Sequence, residues 1–176
     1  MVMYTYITYG SSFFLDKIKK KFNNRNLLSF YNEDNAYLYE ETNDKSVFSA
    51  PQSFINVISD GELVEKPTLL LYFIVKEARQ EVFDTQHLPL EKLSEYDGYQ
   101  AFRLLRPKRG ETYVAVFQFD KQSLLEDFKK SSFFRDNFSK EALSSYQSED
   151  IMANIYYSKY LHVEKPVTLH ESESEE

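Results

Sequence analysis

The chain has 176 residues, which is enough to bury a core as one domain or two small ones without disulfide support. Its hydrophobic content of 42% and charged content of 28% are those of an ordinary soluble protein, and it has no cysteine, which excludes a disulfide scaffold, a thiolate metal site and a cysteine nucleophile. The net charge of -7 disfavours general nucleic-acid binding, because the overall field repels phosphates.

The first stretch of the chain alternates in the manner of a β-strand over residues 4–9 and stops at Gly10. A helix follows, capped by a serine and carrying apolar residues at helical spacing up to Phe22. Two further strands are predicted over residues 27–31 and 36–41, and a third over 45–48. The start of the chain lacks the charged and apolar pattern of a signal peptide, which favours a cytoplasmic protein without a transmembrane segment.

A capping signal at residues 49–52 (SAPQ) predicts a second helix, because a serine and a glutamine three residues apart can satisfy each other's backbone donors. Phe54, Ile55 and Ile58 would form its buried face, and Gly61 would end it with a left-handed cap. The charged segment 62–67 then predicts a boundary between an N-terminal α+β domain, 1–65, and a second domain, 66–166. The acidic residues 167–176 are expected to form a disordered tail.

The second domain begins with an apolar run, 69–75, that is typical of a strand buried on both faces. Pro89 divides residues 76–93 into two short helical pieces, and residues 97–120 read as a hairpin with an apolar strand on each side of a turn. Asp120 can cap the next helix, serines break the helical region that follows, and residues 156–163 alternate as a closing strand. The whole pattern predicts an α+β fold: a ferredoxin-like domain of the dimeric α+β barrel type behind a smaller β-α-β-β-α domain, with antiparallel sheets packed together.

Few residues suggest a catalytic or ligand-binding role. The histidines at 87, 162 and 170 are scattered, which predicts no metal cluster, and four glycines form no phosphate-binding loop. The lysine-rich run at 17–21 is either a contact for an anionic membrane surface or, more commonly, the solvent-exposed face of a packed helix. Arg103, Arg106 and Arg109 are candidate contacts for an anion or an acidic partner, and Arg103 would need a partner if it is buried.

Several segments together resemble one protein family. They are residues 103–107 (RLLRP), 112–113 (TY), 127–129 (DFK) and 138–143 (FSKEAL), with Gly110 between the first two. In this combination the chain resembles the staphylococcal signal transduction protein TRAP family over residues 4–163. The resemblance implies an antibiotic-biosynthesis-monooxygenase-like (ABM) domain in the C-terminal half and a role in regulation, stress response and virulence. It also implies a cytoplasmic protein that associates with the inner membrane face, with an unidentified protein partner or a second copy of itself.

The resemblance extends to two-domain haem monooxygenases of the IsdG type, which bind haem through a histidine and use an asparagine and a tryptophan beside it. The matching positions here are Phe138 or Asn137 for the histidine, Phe73 or Ile74 for the asparagine, and Phe119 for the tryptophan. None of the three residue types is retained, which favours a non-catalytic protein with no cofactor. The alternative is a haem-binding or haem-degrading enzyme with unusual ligands.

Histidine phosphorylation is also proposed for the TRAP family. The corresponding positions in this chain are Pro67, Gln80 and Ala153, none of which can carry a phosphohistidine. The resemblance therefore implies the fold and a regulatory role, while the phosphorylated residues of the family have no counterpart in this sequence.

Overall fold

The computed structural model describes residues 1–166. The strands are β1 (Tyr4–Gly10), β2 (Leu28–Tyr31), β3 (Ala36–Thr42), β4 (Gln52–Gly61), β5 (Thr68–Ile74), β6 (Tyr99–Pro107), β7 (Thr112–Phe119) and β8 (Tyr156–Leu161). The helices are α1 (Ser12–Lys21), α2 (Gln80–Asp84), α3 (Gln122–Phe128), α4 (Ser132–Phe138) and α5 (Lys140–Leu143). Short 3-10 turns lie at Glu77–Arg79, Leu90–Glu95, Ser144–Tyr146 and Ile151–Ala153. Within residues 1–166 we find no helix with the length and apolar character needed to cross a bilayer.

All eight strands form one antiparallel sheet with the order β2-β3-β1-β4-β6-β7-β5-β8. The two halves of the chain join where β4 pairs with β6, from Phe54 opposite Pro107 to Gly61 opposite Ala101. The two ends of the sheet also meet. Tyr31 donates its N–H to the carbonyl of His162 at 2.8 Å, and His162 donates back at 2.7 Å. The sheet is therefore a nearly closed barrel, because its outermost strands touch at one pair of residues.

Each face of this sheet has its own core. The inner face holds residues from both halves, including Tyr39 and Phe54 from the first half and Leu70 and Val116 from the second. On the outer face, α1 covers the first half, with Leu15 in the same buried cluster as Leu38. The other helices cover the second half. Strand β5 is buried along its whole length because both of its faces are covered.

The predicted α+β, ferredoxin-like fold class is confirmed, as are the doubly buried strand, the hairpin and the helix breaks near Pro89 and Ser131. The inner faces of the two halves pack against each other as predicted, but they do so as parts of one continuous sheet. The division into 1–65 and 66–166 stays a prediction, and the acidic segment 167–176 lies outside the described residues.

The helix predicted from residues 49–52 is wrong, because this part of the chain forms the long strand β4. Strand β4 pairs with β1 over Gln52–Ile55 and with β6 over Phe54–Gly61, and this pairing outweighs the local capping signal. Gly61 is needed for a different reason from the one expected. Its φ is 71°, and a Cβ at this position would lie 2.3 Å from the carbonyl oxygen of Gln100 on β6.

Two smaller predictions also fail. Residues 45–48 are irregular rather than a strand, and Phe48 packs in the same buried cluster as Leu15 of α1 without joining the sheet. Lys121 rather than Asp120 precedes α3, and its side chain makes no capping bond. Asp120 instead accepts a hydrogen bond from Lys66 Nζ at 2.7 Å.

Buried tyrosines occur in both cores, and their surroundings raise their pKa values. Burial is the main cause for Tyr39 and Tyr72 on the inner face. For Tyr99 and Tyr113, burial is reinforced by hydrogen bonds that their hydroxyls donate to Asp60 at 2.6 Å and to Asp84 at 2.7 Å, since a neighbouring carboxylate disfavours the tyrosinate.

We therefore expect the contribution of these tyrosines to the free energy of unfolding to stay constant below about pH 10 and to fall as the pH rises further. A group whose pKa is raised by folding stabilises the protein below its unfolded pKa, and the unfolded chain releases these phenolic protons first. Urea titrations on both sides of that pH, with tyrosinate absorbance and circular dichroism followed together, measure the effect. Full ionisation of the tyrosines in a chain that keeps its circular dichroism would contradict it.

Candidate functional site

A cluster of aromatic rings fills the space between the outer face of the second half of the sheet and helices α3 and α4. Phe138 lies at its centre and is 1% exposed. Its ring centroid is 5.5 Å from that of Phe117, 5.8 Å from that of Phe102 and 6.2 Å from that of Phe73. These are the separations of rings in direct contact, so side chains occupy this volume.

The local sequence explains how the rings reach this position. The Ser131 hydroxyl accepts from the N–H of Phe134 and starts α4, and the Ser139 hydroxyl accepts from the N–H of Ala142 and starts α5. Two short helices in different directions therefore replace one long helix. The break lets α4 place Phe133, Phe134 and Phe138 against the sheet.

The structure brings together three of the five predicted pocket residues. Phe73 and Phe138 are in contact, and Phe119 joins the same cluster through Phe128, whose ring centroid is 5.0 Å away. Ile74 follows Phe73 in a strand, so its side chain lies on the opposite face of the sheet. Asn137 donates its side-chain N–H to the carbonyl of Phe133 at 2.8 Å, within its own helix.

A cleft of about 190 Å³ opens beside Phe119 and is lined by Tyr96, Asp97, Phe119, Leu124, Asp127 and Phe128. It is smaller than the roughly 300–1,000 Å³ of typical cofactor sites. Its two carboxylates would repel the propionates of haem, and Phe138 has no atom that can ligate iron. Residues 1–166 also contain no group of three His, Asp or Glu side chains arranged to hold a metal ion. The residues at this position do not fit a haem group.

Arg103 is buried and makes its contacts within the protein. It is 5% exposed, and its guanidinium contacts Glu41 through Nε at 2.6 Å and Nη2 at 3.2 Å. Its Nη1 donates to the carbonyls of Asp60 and Phe102. Because Glu41 lies on β3 and also accepts from Asn56 on β4, this network ties β6 to the first half of the sheet.

The other two arginines differ in exposure. Arg106 is half-buried and pairs with Asp84 at 2.5 Å, and the same carboxylate accepts from the Tyr113 hydroxyl. Arg109 lies exposed in the hairpin turn, with no carboxylate within ion-pair distance in the described part of the chain. Of the three predicted contacts, Arg109 has its charge directed to solvent.

A basic groove, which sequence reasoning missed, lies on the surface of helices α3 to α5. It encloses about 340 Å³ and is lined by Lys129, Lys130, Phe134, Arg135, Ser139, Lys140, Glu141 and Tyr156. Four cations and one acid meet here on a protein whose net charge is -7. The sequence does contain four basic residues within twelve positions, which could have indicated a basic surface. They line one groove because the chain breaks between α4 and α5 and changes direction there.

Lys159 on β8 lies in a cluster of four tyrosines that joins the two halves at the open side of the sheet. Its Nζ is 5.3 Å from the ring centroid of Tyr9, 5.7 Å from Tyr37, 5.4 Å from Tyr72 and 6.0 Å from Tyr157. Burial lowers the pKa of this lysine, whereas the ring faces attract its charged form. The cluster links β1 and β3 to β5 and β8.

Comparison with curated proteins finds similar chains named signal transduction protein TRAP. One from Staphylococcus epidermidis is 34% identical over 162 residues, which cover 91% of this chain and 97% of the relative. One from Staphylococcus aureus strain MRSA252 is 30% identical over 160 residues, with 89% and 95% covered. No protein-family profile matches the chain.

Solved structures agree with this result. A major regulator of staphylococcal pathogenesis superposes with a TM-score of 0.82 at 31% identity, covering 92% of this chain and 99% of that one. A haem-degrading enzyme from Listeria monocytogenes gives 0.72 at 16% identity, covering 92% and 99%. The second likeness shows the fold alone.

The Arg103 network generates a stability prediction. Replacing Arg103 by Met should lower the free energy of unfolding by about 3 kcal/mol, because Glu41 is left largely buried without its counter-charge. Urea denaturation measures the loss. Arg109→Met is the matched control and should change stability by less than about 0.5 kcal/mol, since Arg109 is exposed.

The double variant Arg103→Met with Glu41→Met separates the two explanations for that loss. If the unpaired carboxylate is the cause, the double variant recovers much of the stability of the wild type. Equal losses in the single and double variants would show that packing around Arg103 matters instead.

Proposed function

The chain belongs to the family of signal transduction protein TRAP, and from that membership we propose that it is a non-catalytic regulatory protein that acts through its surface. It works in the cytoplasm as part of a signalling or stress response. The observation that carries the proposal is the burial of Phe138 among Phe73, Phe102 and Phe117, where haem-degrading proteins of the same fold type would need an open pocket.

Physical chemistry supports a loss of catalysis at this position. A haem enzyme needs a nitrogen, sulfur or oxygen ligand on iron and a space that admits both haem and oxygen. The described residues instead place hydrocarbon rings in contact, and opening that cluster would require several large side chains to leave a core in which they are almost fully buried. In such a protein the aromatic cluster around Phe138 contributes to stability rather than to catalysis.

Contact with the inner membrane face remains a separate prediction within this proposal. Helix α1 packs Leu15 into the core and leaves Phe14 62% exposed beside Lys17, which also contacts the Phe13 ring. Ser12 and Leu15 are the buried residues of this helix, so its packing face is narrow and both interpretations of its lysines stay open. An exposed phenylalanine and a few lysines are a small contribution to membrane affinity.

Titration of purified protein with haem tests the proposal. We expect no sharp, saturable Soret band, and no product on addition of a reductant and oxygen, because Phe138 stands at the position that matches the haem-ligating histidine and has no atom that can ligate iron. Denatured protein and buffer alone supply the background that non-specific haem gives.

A saturable band with product formation would overturn the proposed function and favour the enzyme with unusual ligands. Single variants His87→Ala and His162→Ala would then identify the ligand, since His87 is exposed and His162 is half-buried in the residues that close the sheet. Loss of the band in one variant and its retention in the other assigns the iron contact.

A further inference from the structure

Strand β8 has one paired edge and one open edge. It pairs with β5 from Tyr156 opposite Phe73 to Leu161 opposite Thr68. On its other side, the backbone contact with β2 is at His162, which exchanges two hydrogen bonds with Tyr31. Residues two apart in a strand direct their N–H and C=O groups to the same side. Tyr156, Ser158 and Tyr160 therefore direct these groups away from β5.

These outward backbone groups have no backbone partner in residues 1–166. The Tyr156 hydroxyl is used elsewhere, because it donates to the carbonyl of Phe138 at 2.7 Å. Unpaired backbone groups in a row along a strand are a template for another strand. The edge is flanked by aromatic rings, with Tyr157 being 43% exposed.

The basic groove borders this open edge. Tyr156 belongs to both, and Lys140 Nζ lies 5.6 Å from its ring centroid. Lys129 Nζ lies 5.5 Å from the ring of Tyr160, so lysines follow the strand along one face. Within the described part of the chain, Lys129, Lys130 and Lys140 have no carboxylate within ion-pair distance.

We propose that the open edge of β8 and the basic groove together form a docking site for an extended acidic peptide segment of a partner protein. This inference rests on the proposed regulatory role and names the class of partner that such a role requires. The peptide would add as a strand through the backbone groups of Tyr156, Ser158 and Tyr160, and its alternate carboxylates would contact the lysines.

The surrounding charges orient the peptide. Glu33 and Asp34 lie in the turn that follows Tyr31, next to the end of β8 that meets β2. Glu141 also lines the groove beside Tyr156, and Glu126 lies near Tyr160. The carboxylates of the peptide should therefore lie against Lys129 and Lys140, away from these acids and from that turn. Nucleic acid fits this surface less well, because the net charge of -7 opposes a polyphosphate and a strand edge offers it no matching pattern.

Fluorescence anisotropy with the full chain tests the site. The probe is a fluorescein-labelled peptide of eight residues that alternates glutamate with valine, and the matched probe has glutamine for each glutamate. We expect saturable binding of the glutamate peptide that weakens with added salt, and at least tenfold weaker binding of the glutamine peptide, which is a difference of about 1.4 kcal/mol.

Two variants address the two parts of the site. Lys129→Glu with Lys140→Glu reverses the groove and should weaken binding by tenfold or more, on the order of one charge-assisted contact. Lys20→Glu with Lys21→Glu is the matched control: it makes the same change of charge on α1 and should alter binding by less than about twofold.

Ser158→Pro tests the strand edge. It removes an outward N–H without removing a bond to β5, and it should abolish most of the binding in a chain that keeps its circular dichroism.

Several results would overturn the proposal. These are no binding of the glutamate peptide, equal binding of both peptides, or equal effects of the groove and α1 charge reversals. Preferential binding of anionic lipid vesicles through Lys129 and Lys140 would assign the groove to a membrane surface. A dimer of the full chain that dissociates in Ser158→Pro would assign the edge to a second copy.

The haem titration tests the proposed function independently of the peptide-binding assay. A chain that binds neither haem nor peptide keeps its proposed regulatory role and loses this docking site. If Ser158→Pro does not fold, the charge reversals in the groove and on α1 still decide the question.

Discussion

The pairing of β4 with β6 is the contact on which the rest of the structure depends. It turns two sets of strands into one sheet, and the inner face of that sheet can then close over a core drawn from both halves. The Arg103–Glu41 network reinforces the joint with charged hydrogen bonds where β6 approaches β3. Closure at Tyr31 and His162 follows, because a sheet that curves through the joint brings its outermost strands together.

This architecture separates stability from function. The outer face of the second half carries the cluster around Phe138, whose aromatic rings pack together and contribute buried area. Features that a partner could recognise lie at the margins of the sheet: the exposed Arg109 in the hairpin turn, the basic groove on α3 to α5, and the open edge of β8.

Local pattern predicted much of the fold because many elements carry their own signal. Strand β5 is apolar throughout, the 97–120 hairpin has a proline and a glycine at its turn, and Ser131 and Ser139 cap the helices that follow them. Strand β4 is the largest exception, since its pairing partners lie on β1 and β6, far away in sequence. A capping signal is worth about 1 kcal/mol, whereas pairing with β1 over Gln52–Ile55 and with β6 over Phe54–Gly61 satisfies many backbone groups along the segment.

The sequence alone determined the type of fold and the family, because apolar periodicity and shared segments can be recognised without knowing where the residues lie in space. Tertiary structure decided which side chains meet. It paired Arg103 with Glu41 and gathered Lys129 and Lys140 beside the unpaired edge of β8. The physical reason is that charge pairing, burial and open strand edges depend on distances between residues remote in sequence, which composition and local periodicity do not specify.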